Sequence, residues 1–130
     1  MTHINKIRAV SFSPTGTTRK IVTATAKGLS RALKTSLEEH DFTLPKARTQ
    51  PLRFTDSDLV VFGTPVYAGR VPNVLLPYLN TMQGNGALAI PVVLFGNRDY
   101  DDALIELRDI LENKGLNTIA AGEFVGEHSF

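Results

Sequence analysis

Four hydroxyl side chains, Ser13, Thr15, Thr17 and Thr18, crowd into the six residues "SPTGTT" together with Pro14 and Gly16. The stretch follows "IRAVSF", residues 7–12, and precedes a run of residues with helical spacing. At a strand-to-helix turn the first N–H groups of the helix lack intrahelical acceptors and carry the positive end of its dipole. Hydroxyl donors beside them, and a glycine that lets the backbone turn tightly, suit a phosphate-sized anion. No positive side chain lies between Ser11 and Thr18, and such a cradle needs none. Serine and threonine also cap helices with no ligand involved, so this loop alone leaves both readings open. The patterns G-x-x-x-x-G-K-[ST] and G-x-G-x-x-G are both absent, which leaves a site for a single terminal phosphate.

Two further stretches carry aromatic rings on loops. "GTPVYAGRVP" has Tyr67 at its tip, with Gly63, Ala68 and Gly69 nearby, and "FGNRDYDD" has Tyr100 after Gly96. Two aromatics beside an anion site can sandwich a flat ring, at about 1 kcal/mol beyond the area buried. The plainer alternative makes Tyr67 a surface residue and Tyr100 a packing residue.

The elements that must position these loops read as follows. Residues 7–12 form a buried strand. A helix runs from Thr17 to Leu33, its buried face made by Ile21, Ala24, Thr25, Gly28, Leu29 and Ala32. Residues 35–44 make a second strand of weak pattern, and 45–57, with two prolines, a loop or a short helical turn. "DLVVFG", 58–63, is a third strand and 64–72 a loop. Pro72 opens a short helix to about Met82, with Pro77 kinking or shortening it. "ALAIPVVLFG", 87–96, is a fourth strand, with Pro91 near its start. Asp99 caps the next helix, whose buried face is Tyr100, Ala103, Leu104, Leu107 and Leu111, and Gly115 stops it. Residues 116–126 hold the last strand. This alternation gives an α/β fold with a parallel sheet covered by helices on both faces. The loops 13–18, 64–71 and 96–101 then all leave carboxyl ends of strands, where open parallel sheets bind ligands.

Bulk properties bound the function. The 130 residues suffice for one domain, 1–130, and contain no cysteine, which excludes disulfides, thiolate zinc and iron–sulfur ligation. No apolar run is long enough for a membrane helix, and no signal-peptide block opens the chain, so the expected location is cytoplasmic. Residues 1–53 hold ten Lys/Arg against three Asp/Glu, and residues 54–130 four against ten. The basic residues are spread out and not interleaved with aromatics, which argues against nucleic-acid binding. No residue is assigned as a catalytic acid or base or as a metal ligand; Asp101 and Asp102 are helix-start charges.

"SPTGTT" resembles the S/T-x-T-G-x-T phosphate loop of flavodoxins. "GTPVYAGRVP" and "FGNRDYDDAL" resemble the two loops of that superfamily that contact the isoalloxazine ring. The nearest likeness is to flavodoxin-like domains joined to a ferredoxin domain, which also read close to "GEHS" after the last strand, as residues 126–129 do. The resemblance spans residues 7–130. It implies an open parallel five-stranded sheet of order 2-1-3-4-5 and non-covalent FMN. Ser13, Pro14, Thr15, Gly16, Thr17 and Thr18 would hold the phosphate. Thr64, Pro65, Val66, Tyr67, Ala68 and Gly69 would follow the ribityl chain and one ring face. Gly96, Asn97, Arg98 and Tyr100 would line the other face. The implied role is electron transfer to a redox protein partner of the ferredoxin or reductase type, with no acid–base residue of the protein's own.

Two departures stand out. Arg70 and Arg98 lie in the ring loops, where flavodoxins are usually acidic. A free cation there would raise the flavin's reduction potential; an ion-paired loop arginine would not. Only "EHSF" follows Gly126, so the usual final helix is expected to be missing and a partner, a dimer or a further segment would cover that sheet face. The alternative on the same fold is an FMN-dependent NAD(P)H:quinone or metal reductase. A receiver-type signalling domain shares the strand order but needs acids beyond the first strand and an aspartate at the end of the third, where "VSFSPT" and the position of Asp58 offer neither.

Overall fold

A computed structural model describes residues 3–95 and 102–126. Six strands form one parallel sheet: β1 (Lys6–Ser11), β2 (Ser36–Asp41), β3 (Asp58–Pro65), β4 (Leu88–Phe95), β5 (Asn117–Thr118) and β6 (Gly122–Val125). Their order is β2-β1-β3-β4-β5, with β6 also paired to β4. This is the 2-1-3-4-5 order expected, its fifth strand delivered in two pieces.

The break has a cause in Pro91. Asn117, Ile119 and Gly126 donate their N–H groups to the carbonyls of Ala87, Ala89 and Phe95. Odd-numbered residues of β4 therefore direct their backbone polar groups at the edge strand. Pro91 has the same parity and no N–H to offer. It stands between the β5 register at Leu88–Ala89 and the β6 register at Val92–Phe95.

Helix α1 (Thr17–Leu33) covers one face and packs on Ile7, Ala9, Leu59, Val61 and Val92. Helices α2 (Leu76–Leu79) and α3 (Ala103–Asn113) cover the other, over Val10, Phe12, Val60, Phe62, Ala89 and Val93. The α1 face is rotated from the sequence expectation. Thr18, Val22 and Ala26 are the buried residues, with Ile21, Thr25 and Leu29 half-buried, while Ala24, Gly28 and Ala32 are exposed. Apolar residues lie on two overlapping stripes of α1, and the sheet selects one. Gly63 of β3 leaves no room for any side chain beneath Val22, whose Cγ2 lies 2.2 Å from where a Cβ would stand.

Other boundaries also move. The second strand is shorter than 35–44, and the third extends to Pro65. Residues 73–75 form a 3-10 turn, and α2 follows as a single turn with Pro77 in its first positions, where a missing N–H costs no bond. The N-cap position of α3 falls at Asp102, whose side chain makes no capping hydrogen bond; Asp99 lies outside the described residues together with Tyr100. Ala103, Leu107 and Leu111 are fully buried as expected, and Leu104 half-buried. Gly115 ends α3 at φ 93°, its N–H on the Glu112 carbonyl and the Leu116 N–H on Leu111. These two bonds are those of a Schellman motif.

Candidate functional site

Parallel pairing of Ser11 with Gly63, and of Pro65 with Leu94, brings the carboxyl ends of β1, β3 and β4 to one edge of the sheet. The loops leaving β1 and β3 flank the switch point between these two strands, where the crossovers part to opposite faces.

The first loop is shaped from both sides. Gly16 at the N-cap of α1 takes φ 89°, and its N–H closes a turn onto the Ser13 carbonyl at 3.1 Å. The Oγ of Ser13 accepts the Arg19 N–H at 2.9 Å, so this hydroxyl caps the helix. Its own proton remains free to donate. Among the described residues, the N–H groups of Thr15, Thr17 and Thr18 meet no protein acceptor. No acidic side chain occupies the first turn of α1, and a Cβ on Gly16 would meet nothing within 4 Å. The loop is therefore an open, donor-rich mouth at a helix N-terminus. Pro14 and Thr15 are exposed and Thr17 half-buried, but Thr18 is 2% exposed, its methyl packed toward Gly63.

Two residues that the sequence reading passed over hold this loop from behind. Thr43 Oγ1 accepts the Ser13 N–H at 2.8 Å, and Asp41 Oδ1 accepts both the N–H and the hydroxyl of Thr43. Arg48 donates to the carbonyls of Phe42 and Thr43 at 2.9 and 2.8 Å and lies 5.9 Å from the Phe12 ring centroid. Beneath them the rings of Phe12, Phe42, Phe62 and Tyr78 form a contiguous cluster. Burial raises the Tyr78 phenol above its ordinary range, and its hydroxyl donates to the Gln50 carbonyl at 2.9 Å. The "DFT" spacing of Asp41 and Thr43, an aspartate whose carboxylate accepts from the backbone two residues on, was the available signal.

The second loop is a two-residue turn. Tyr67 and Arg70 exchange N–H···O bonds of 2.9 and 3.0 Å, with Ala68 at φ 51° and Gly69 at φ 77° between them. Positive φ at both central residues is the mark of a type I′ turn. Thr64 is wholly buried, its hydroxyl donating back to the Pro65 carbonyl, and Val66 is half-buried with its N–H on Leu94. Tyr67 is 47% exposed at the tip. Arg70 is ion-paired: its Nε and Nη2 donate to Glu106 Oε1 and Oε2 at 3.1 and 2.8 Å. The Val71 N–H also reaches Glu106 Oε1, at 2.8 Å. The Arg70 hydrogen bond, more than the Val71 N–H, holds the Glu106 carboxyl below the ordinary glutamate range against the opposing effect of burial. The same bond raises Arg70 further above its ordinary value. Arg70 is therefore an ion-paired loop arginine and not a free cation.

Gly96, Asn97, Arg98 and Tyr100 of the third loop lie outside the described residues. An open groove of about 500 Å³ runs beside the second loop, lined by Ala68, Gly69, Arg70, Ile105 and Glu106 among others. Asp58 lies at the opposite, amino end of the sheet, buried against Arg8 at 3.3 Å and the Thr55 N–H at 2.8 Å. That position removes any phosphoacceptor role at the carboxyl edge.

Sheet order, flanking helices and loop placement together define a flavodoxin-like α/β domain. No protein-family profile and no curated relative matches the chain. Among solved structures it is similar to a Bacteroides uniformis ATCC 8492 protein that carries the name "Putative flavoprotein". The two share 17% identity over 98% of this chain and 94% of that one, with a TM-score of 0.58. Among the described residues no helix is long and apolar enough to cross a membrane.

Proposed function

We propose that this domain binds FMN non-covalently and carries electrons to a protein partner. The observation that carries the reading is the free donor set of the first loop. Three backbone N–H groups without a protein acceptor, the hydroxyls of Ser13, Thr15 and Thr17 and the positive end of α1 lie within one loop, and the first turn of α1 carries no acid. That chemistry fits a phosphate dianion. The name carried by the Bacteroides uniformis structure supports the same reading.

Within it, residues 13–18 hold the phosphate and Tyr67 covers one face of the ring, with the third loop on the other. Bound FMN would supply the one- and two-electron chemistry. The chain's part is to fix the phosphate, shield a ring face and leave an edge open to a partner. Among the described residues of the first two loops the charged side chain is Arg70, and Glu106 neutralises it. Arg70 then brings no free charge to the ring, and the role we propose is that of a carrier. The groove beside Arg70 is the feature that favours the second reading, an FMN-dependent NAD(P)H:quinone or metal reductase.

Calorimetry with FMN and with riboflavin tests the proposal. FMN should bind at least about a hundredfold more tightly, the equivalent of ~2.7 kcal/mol carried by the phosphate. Equal affinity for the two, or no heat with FMN, overturns it. Steady-state turnover with NAD(P)H and a quinone decides between carrier and reductase.

A further inference from the structure

The turn 67–70 is held at its two ends by different means. On its entry side the Val66 N–H is tied to the β4 carbonyl of Leu94 at 3.0 Å, an ordinary sheet bond. On its exit side no strand among the described residues pairs with it. One carboxylate, on the first turn of α3, accepts three donors there: Arg70 Nε, Arg70 Nη2 and the Val71 N–H. Glu106 is the one side chain among the described residues that hydrogen-bonds this turn from outside it. Its side chain is 17% exposed although Arg70's is 67% exposed, so the carboxylate sits under the guanidinium and faces the loop. The turn it secures contains a non-glycine residue, Ala68, in the left-handed region, a conformation that surroundings must impose.

We propose that Glu106 is a positioning residue for the ring-facing turn: through Arg70 and Val71 it fixes the Ala68–Gly69 peptide and so sets the affinity and potential of the flavin. This inference rests on the FMN reading above. It gives α3 a role beyond covering the sheet, because the helix aligns the loop that meets the cofactor. A charge-assisted, bidentate contact is suited to the task, since it fixes direction as well as distance.

The test compares the whole chain with Glu106→Gln, and with Glu112→Gln on an exposed position of the same helix as a control. Two quantities are read: amide hydrogen exchange at Tyr67, Arg70 and Val71 in flavin-free protein, and the dissociation constant and midpoint potential with FMN. Glu106→Gln should speed exchange at Arg70 and Val71 about tenfold, weaken FMN about tenfold and move the midpoint potential, as expected from losing a charged hydrogen-bond acceptor. Glu112→Gln should change none of these. Should Glu106→Gln fail to fold, Arg70→Gln removes the ion pair from the exposed side and is read in the same way. Exchange, affinity and potential all unchanged in a variant, while the wild-type chain binds FMN, overturn this inference alone. A wild-type chain that takes up no FMN overturns the proposed function, and this inference with it.

Discussion

The Cγ2 of Val22 lies 2.2 Å from where Gly63 would carry a Cβ, so helix α1 rests on bare strand backbone at the site edge of the sheet. The Cγ2 of Thr18, one turn earlier, lies 3.1 Å from the same hypothetical Cβ. The closeness of helix and strand there sets where the N-terminus of α1, and hence the donor-rich loop, stands relative to β3.

Gly63→Ala should therefore destabilise the fold by about 1–3 kcal/mol through overpacking, because Val22 is wholly buried and its branched side chain has nowhere to turn. Combining it with Val22→Ala should recover part of that loss, a favourable coupling visible in a double-mutant cycle of chemical denaturation midpoints. Strict additivity of the two changes would remove the close contact as the cause.

Ser13→Ala deletes the acceptor for the Arg19 N–H and should cost about 1 kcal/mol of stability. It should also weaken FMN, since the hydroxyl is one of the site's donors. Ser13→Thr keeps both roles and should restore most of each. A thermal melt and a flavin titration of the two variants supply the check.

Thr43→Val removes the acceptor for the Ser13 N–H and leaves that backbone donor without its partner. The expected loss is about 1–3 kcal/mol. Because Thr43 lies behind the loop, FMN affinity should fall even though residue 43 touches no ligand. Retention of full affinity would show that the Asp41–Thr43 pair serves stability alone.

Acid should loosen the second loop. The folded-state value of Glu106 is depressed, chiefly by its bond to Arg70, so its contribution is present above the unfolded value and is lost as pH falls through the folded one. Glu38, lowered first by its hydrogen bond from Lys6 and opposed by burial, adds a change of the same sign. Denaturation midpoints should thus decline as pH drops from about 5 to about 3, and Glu106→Gln should flatten that decline. An unchanged pH profile in that variant would refute the assignment.

Helix α1 ends on Lys34 in the left-handed region at φ 52°, its N–H on Arg31 and that of Thr35 on Ser30. A lysine there bears a cost that glycine avoids. Lys34→Gly should stabilise the fold by up to about 1 kcal/mol, read as a higher melting temperature with FMN affinity unchanged.

Particular residues show how far the sequence reaches. The hydroxyls and Gly16 of "SPTGTT" announced a donor-rich turn at a helix start because helix starts have local chemistry: donors, a tight turn and a dipole all within six residues. Gly115 and the buried row Ala103, Leu107 and Leu111 were legible for the same reason, as stops and periodicities are local. The rotation of α1 was not. Ile21 and Val22 are equally apolar, and only a strand with a bare glycine opposite decides which one faces inward. The split of the last strand was half written in Pro91, but it needed the parity of β4 hydrogen bonds to become visible.

From its sequence alone the chain determined an alternating α/β order, a parallel sheet and three unusual loops at strand ends, because propensity, capping and apolar spacing act over a few residues. Tertiary structure alone decided that Thr43 stands behind Ser13 and that Glu106 answers Arg70. Those partners lie 30 and 36 positions apart in the chain, and sequence carries no signal for a hydrogen bond whose two ends meet only after the sheet has assembled.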